Sequence, residues 1–221
     1  MLPACSAATA EALPPGWRWA GLIAIPACLL AVSWGASPWW LCWFCDLTLI
    51  ATWFGLLLPS RRLLSATLPA SLSINAMWTV DACTTLAGVP LSGLTAYVID
   101  PAVPLYARIA TWFHVVHPVA LLLVVRRLGY HRQGLLLALA WMGGALFVLR
   151  LAVQLGLLPE EVNPNFVRPL ASWRLPGWLP AWTYNGLQFA VLAIGLLLPV
   201  HLLLLRLWPQ PLARRPASSA S

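Results

Sequence analysis

Along this chain, long apolar runs are cut by short clusters of Pro, Gly, Ser and Arg, and the spacing of those breaks predicts six helices. The runs cover residues 17 to 36, 38 to 58, 63 to 83, 107 to 125, 134 to 155 and 182 to 206. Each is near the roughly 20 apolar residues needed to cross a bilayer. "GASP", "LPSRR" and "RRLGYHRQG" make three tight connections, while 84 to 106 and 156 to 181 are longer and rich in Pro and Gly. The fold class expected is all-α: a polytopic membrane protein with a six-transmembrane-helix bundle over residues 17 to 206. A lead-in of residues 1 to 16 precedes it and a Pro/Ser-rich tail of residues 207 to 221 follows. The first fifteen residues lack a charged start and an apolar centre, so the first run reads as a retained helix and not as a signal peptide.

Composition agrees. Of 221 residues, 61% are hydrophobic and 9% charged, against about 25% charged in soluble domains. Every basic residue is Arg, which suggests a GC-rich bacterial genome. The formal charge of +7 points to topology and anionic headgroups, with no nucleic acid as partner. With the N-terminus cytoplasmic, Arg18, Arg61, Arg62, Arg126, Arg127, Arg132, Arg206, Arg214 and Arg215 fall inside, and Arg108, Arg168 and Arg174 outside. Both termini are therefore expected in the cytoplasm, in a bacterial inner membrane. The five cysteines, including Cys5, Cys28 and Cys83, form no secreted disulfide pattern.

The apolar runs also carry polar residues that Leu would replace at lower cost, and these fall at one depth. At 1.5 Å per helical residue, Cys45 and His114 each lie roughly 10 Å below the outer start of their helices. Asn75, Asp81, Arg150, Gln154, Asn185 and Gln188 come from the outer parts of three other helices. Such groups usually face a bundle interior or a water-filled cavity. Cys45, Thr48 and Thr52 share one stripe, with Cys42 above, while His114 and His117 share another and Pro118 predicts a kink at His114. A buried thiol needs a neighbouring base, which makes His114 the partner of Cys45, or of Thr48 as nucleophile or oxyanion donor. Asp46, Asp81, His117, Arg150 and Gln188 support this layer, with Arg150 expected to pair with Asp46 or Asp81. The depth matches the ester region of a membrane lipid, the expected partner.

The stretches "LCWFCDLTLIATWFGLLLPSRRLL", "GLTAYVIDPAVPLY", "WFHVVHP" and "RRLGYHRQGLLL" resemble a family of uncharacterised bacterial membrane proteins. More distantly the chain is similar to the androgen-induced hydrolase group and a related transmembrane lipid acyltransferase, over residues 38 to about 206. That resemblance implies lipid acyl hydrolysis or transfer. It places the nucleophile on Cys45 in one branch and on or near Thr48 in the other, with His114 as the shared histidine. Asp46, His117 and Cys42 depart from the pattern, so the nucleophile stays open between Cys45 and Thr48.

Two rivals use the same residues. A membrane thiol oxidoreductase would cycle Cys42 and Cys45, and a non-enzymatic protein would bind or carry a lipid or small molecule. A metal or haem centre on His114, His117 and His201 is disfavoured, because His201 lies roughly 28 Å deep and His117 roughly 15 Å. No metal and no cofactor are expected.

Overall fold

The structure is a computed structural model, described for residues 13–169, 176 and 178–208. The described residues are helical with no strands, and the helices form six rods. Rod one is α1, Pro15–Gly35. Rod two is a 3-10 turn, Pro38–Cys42, followed by α2, Phe44–Leu57. Rod three is α3, Arg61–Leu86, and rod four joins α4, Leu105–Ala110, to α5, Phe113–Leu128. Rod five is α6, Gly134–Gln154. Rod six runs through α7, Ala181–Val191, a π turn, Leu192–Leu197, and α8, Leu198–Leu207. Four stretches are long and apolar enough to cross a membrane: Pro15–Gly35, Leu105–Leu128, Gly134–Gln154 and Ala181–Leu207. A membrane protein is thus plausible on length and composition. The lead-in to residue 12, Cys5, Arg174, Arg214, Arg215 and nearly all the tail lie outside the described residues.

α3 is the axis of the bundle and packs against α2, α5 and α6. Its Ser65, Thr67, Ser71 and Asn75 are fully buried, so its polar character belongs to contacts between helices and not to water. Small residues permit the close approach. A Cβ on Gly134 would stand 2.7 Å from the backbone oxygen of Ser65, and one on Gly35 2.5 Å from the Cβ of Ala107.

One end of the bundle is pinned by arginines that cap helix C-termini, whose last carbonyls have no helical partner. Arg18 donates to the carbonyls of Leu56 (2.9 Å) and Leu57 (3.0 Å). Arg61 donates to those of Gly129 (2.8 Å) and Tyr130 (3.3 Å), and the Arg127 guanidinium lies 5.1 Å from the centre of the Trp17 ring. At the other end Arg168 holds its own loop together, donating to the carbonyls of Leu158 and Val162 among others.

Three rods differ from the pattern in the sequence. The second is not one helix over 38 to 58, because Trp43 is extended (φ −72, ψ 147) and ends the 3-10 turn before α2 begins. Cys42 therefore leaves the stripe of Cys45 and Thr48. In the fourth, the interruption falls at Thr111 and Trp112, and α5 runs through Pro118. In the sixth, Pro199 cannot donate its backbone bond, and the chain widens into a π turn just before it.

Candidate functional site

α2 starts at a residue, Trp43, whose side chain caps nothing. Its start is fixed from a distance by Asn165, whose Oδ1 accepts the Phe44 N–H (2.6 Å) and whose Nδ2 donates to the Cys42 carbonyl (2.8 Å). Asn165 reaches there with φ 53, a left-handed conformation that Asn tolerates better than most residues. Gln188 donates to the Asn165 carbonyl and Asn185 to that of Val167 (3.1 Å). Gln188 thus positions the loop that holds α2.

This brings Cys45 and Asp46 to the first turn of α2, both buried. The Cys45 thiol donates to Asp46 Oδ2 (3.3 Å), and Asp46 Oδ1 has no partner among the described residues. Thr48 donates to the Cys45 carbonyl (2.6 Å). Beside them is Tyr97, from the first long loop. Its hydroxyl accepts the Trp78 N–H (2.6 Å), and its ring meets Trp40 edge-on at 4.6 Å. Burial pushes the Tyr97 hydroxyl pKa up; the Trp78 hydrogen bond opposes this, and the nearby Cys45 and Asp46 add to the rise.

Trp78 also stacks on His114 with ring centres 4.1 Å apart, and Phe113 lies 3.9 Å from the imidazole on its own helix. His114 Nδ1 faces the carbonyl oxygen of Thr111. A carbonyl only accepts, so Nδ1 carries the proton and neutral His114 has its lone pair on Nε2. That nitrogen is buried and has no hydrogen-bond partner among the described residues. Neither Cys45 nor Thr48 hydrogen-bonds His114; both protons go elsewhere.

His117 behaves differently. Its Nε2 meets Thr52 Oγ1 at 3.0 Å and its Nδ1 meets Ser71 Oγ at 3.1 Å. Thr52 continues to Thr67 (3.3 Å), Thr67 to the Leu64 carbonyl (3.0 Å), and Asn75 Nδ2 donates to Ser71 Oγ (2.9 Å). Helices α2, α3 and α5 are joined by this network.

The remaining predicted residues are structural or isolated. Asp81 accepts from Ser92 N (2.7 Å), Thr95 N (3.1 Å) and Thr95 Oγ1 (2.7 Å), which anchors the first long loop. Arg150 forms no ion pair with Asp46 or Asp81, contrary to expectation, and its buried Nε has no partner among the described residues. Asp81 has spent its oxygens on the loop. Cys42 and Cys45 are free thiols. His201 bonds Tyr130 (2.7 Å), away from the other histidines, and among the described residues no three of His, Cys, Asp and Glu gather as metal ligands.

Nothing in the hydrophobic pattern or helix depth distinguishes Asn165, Tyr97, Trp78 or Ser71. Only "NPNF" carried a local signal, since Asn between turn residues favours a left-handed position. Compared with protein families, with curated proteins and with solved structures, the chain gives no match.

Proposed function

We propose that this chain is a six-span integral membrane protein of a bacterial inner membrane, both termini cytoplasmic, which binds a lipid or small amphiphile at the Tyr97, Trp78, His114 and Asp46 cluster. Six spans follow if the 3-10 turn extends α2 and if α3 buries its polar face in the bundle. The end holding Arg18, Arg61, Arg62, Arg126, Arg127, Arg132 and Arg206 is then cytoplasmic by the positive-inside rule. Of the described arginines, only Arg108 and Arg168 flank the opposite end, with Arg150 inside α6.

The observation that carries the binding reading is the bare Nε2 of His114. A buried acceptor left unpaired costs about 1–3 kcal/mol, and Asp46 Oδ1 is a second one. A headgroup with a hydroxyl or an ammonium supplies the donor that both lack, while the aromatic rings take its apolar part. Lipids retained by the detergent-purified protein, identified by mass spectrometry, test this. The wild type should hold one hydroxyl- or ammonium-bearing species that His114→Phe loses; equal lipid profiles would refute it.

A second reading, acyl hydrolysis or transfer by Cys45 or Thr48 with His114 as base, is favoured by the tautomer, because a lone pair on Nε2 is what a general base requires. It needs a side-chain rotation first. The Cys45 thiol faces Asp46 and the Thr48 hydroxyl faces a backbone carbonyl. Ester turnover abolished by Cys45→Ser or Thr48→Val alone would establish this second reading over pure binding.

A further inference from the structure

The hydrogen bonds around His117 have only one consistent direction. Thr67 spends its proton on the Leu64 carbonyl, so its oxygen accepts from Thr52. With the Thr52 proton committed, the contact to His117 Nε2 is a donation by the ring. Neutral His117 therefore has its lone pair on Nδ1, where the Ser71 hydroxyl donates. A nucleophile faces a base at 3.1 Å, and a third group holds the base at 3.0 Å. That is the arrangement of an activated hydroxyl. Asn75 adds a fourth element: its Nδ2 donates to Ser71 Oγ (2.9 Å), while its Oδ1 is buried with no partner among the described residues. That Nδ2 is a donor beside the place where an oxyanion would form.

Depth constrains the substrate. Ser71 is ten residues from the start of α3 and fifteen from its end, roughly 15 Å and 22 Å, which on the six-span topology proposed above lies near the middle of a bilayer. A charged headgroup is costly there. We propose that Ser71 is an acyl-accepting nucleophile, with His117 Nδ1 as its base and Thr52 as the residue that positions the ring, acting on neutral esters such as acylglycerols or wax-type esters. Ser71 Oγ bonds the ester carbonyl carbon as its proton moves to Nδ1. Collapse of the tetrahedral adduct breaks the bond to the alcohol oxygen, which takes that proton. Water then attacks the acyl-serine, His117 removes its proton and returns it to Ser71 Oγ, and a carboxylic acid leaves. The sum is ester plus water giving acid plus alcohol. None of these groups belongs to the His114 cluster, so this site stands independently of the binding reading.

The test is a long-chain alkyl fluorophosphonate added to the full-length protein in lipid nanodiscs, with the adduct located by peptide mass spectrometry. Wild type should carry it on Ser71, and His117→Gln should label at least tenfold more slowly. Thr52→Val should slow labelling while Thr52→Ser, which keeps the acceptor, restores it. Each variant is compared only where it elutes as a single species and melts cooperatively. An unlabelled Ser71 in folded wild type overturns the assignment and leaves the network as packing between helices. Equal rates in Thr52→Val and Thr52→Ser overturn the role of Thr52, even where His117→Gln does not fold.

Discussion

Replacing Asn165 by Ala removes a tether that crosses from the second long loop to the start of α2. The side chain is 4% exposed and makes two hydrogen bonds there, to Phe44 N and the Cys42 carbonyl. Loss of a net hydrogen bond costs about 1 kcal/mol, and a buried N–H left behind costs about 1–3 kcal/mol. Asparagine and alanine both carry a Cβ at φ 53, so the left-handed strain of about 1–2 kcal/mol is common to the wild type and Asn165→Ala and drops out of the difference. The two hydrogen-bond terms sum to about 2–4 kcal/mol, which for a chain of this size lowers Tm on the order of 10 °C. Asn165→Gly loses the same hydrogen bonds without the backbone clash, so it should melt above Asn165→Ala by roughly 1 kcal/mol equivalent. Tryptophan fluorescence during heating in detergent reports it directly, since Trp43 packs on the Phe166 ring at 5.6 Å. Melting of both variants within about 2 °C of wild type, well inside the expected shift, would show that α2 is not held this way.

Three other outcomes follow from the same contacts. Asp81→Ala frees three donors of the first long loop, so protease cleavage between residues 88 and 100 should be at least roughly tenfold faster, about 1.4 kcal/mol of local stability; an unchanged rate would refute the anchor. Burial, together with Arg61, Arg62 and Arg132, holds the His131 imidazole below its ordinary range. The folded state therefore binds its proton less readily than the unfolded one, and stability should fall as pH drops below about 6.5, a dependence that His131→Gln should weaken. Reporter fusions should place residues 84–106 outside the cytoplasm; a cytoplasmic signal there would invert the topology.

The rods were legible in the sequence because hydrophobic length and the Arg clusters report them without tertiary information. Their interruptions were not. Pro118 predicts a kink at His114, yet α5 absorbs it and the break falls nearly two turns before the proline, at Thr111 and Trp112. Equal depth placed Cys45 and His114 in one layer, but depth says nothing of rotation about each helix, and in the structure their polar atoms turn to Asp46 and to the Thr111 carbonyl. Arg150 shows the same limit, since opposite charges at one level do not ensure contact. Ser71 and Thr52 are ordinary residues in sequence. They acquire meaning only because α2 and α3 approach His117 from both sides.

Adjacent turns of α5 thus hold two histidines in opposite tautomers, His114 with its proton on Nδ1 and His117 with its proton on Nε2. Nitrogen-15 NMR of the purified protein with labelled histidine, assigned by His114→Gln and His117→Gln, reads this at neutral pH. The structure predicts one ring of each kind, with the His114 Nε2 resonance at the position of an unprotonated, non-hydrogen-bonded nitrogen that moves when an amphiphile binds. A His114 proton on Nε2, or an Nε2 signal indifferent to every lipid offered, would contradict the binding site.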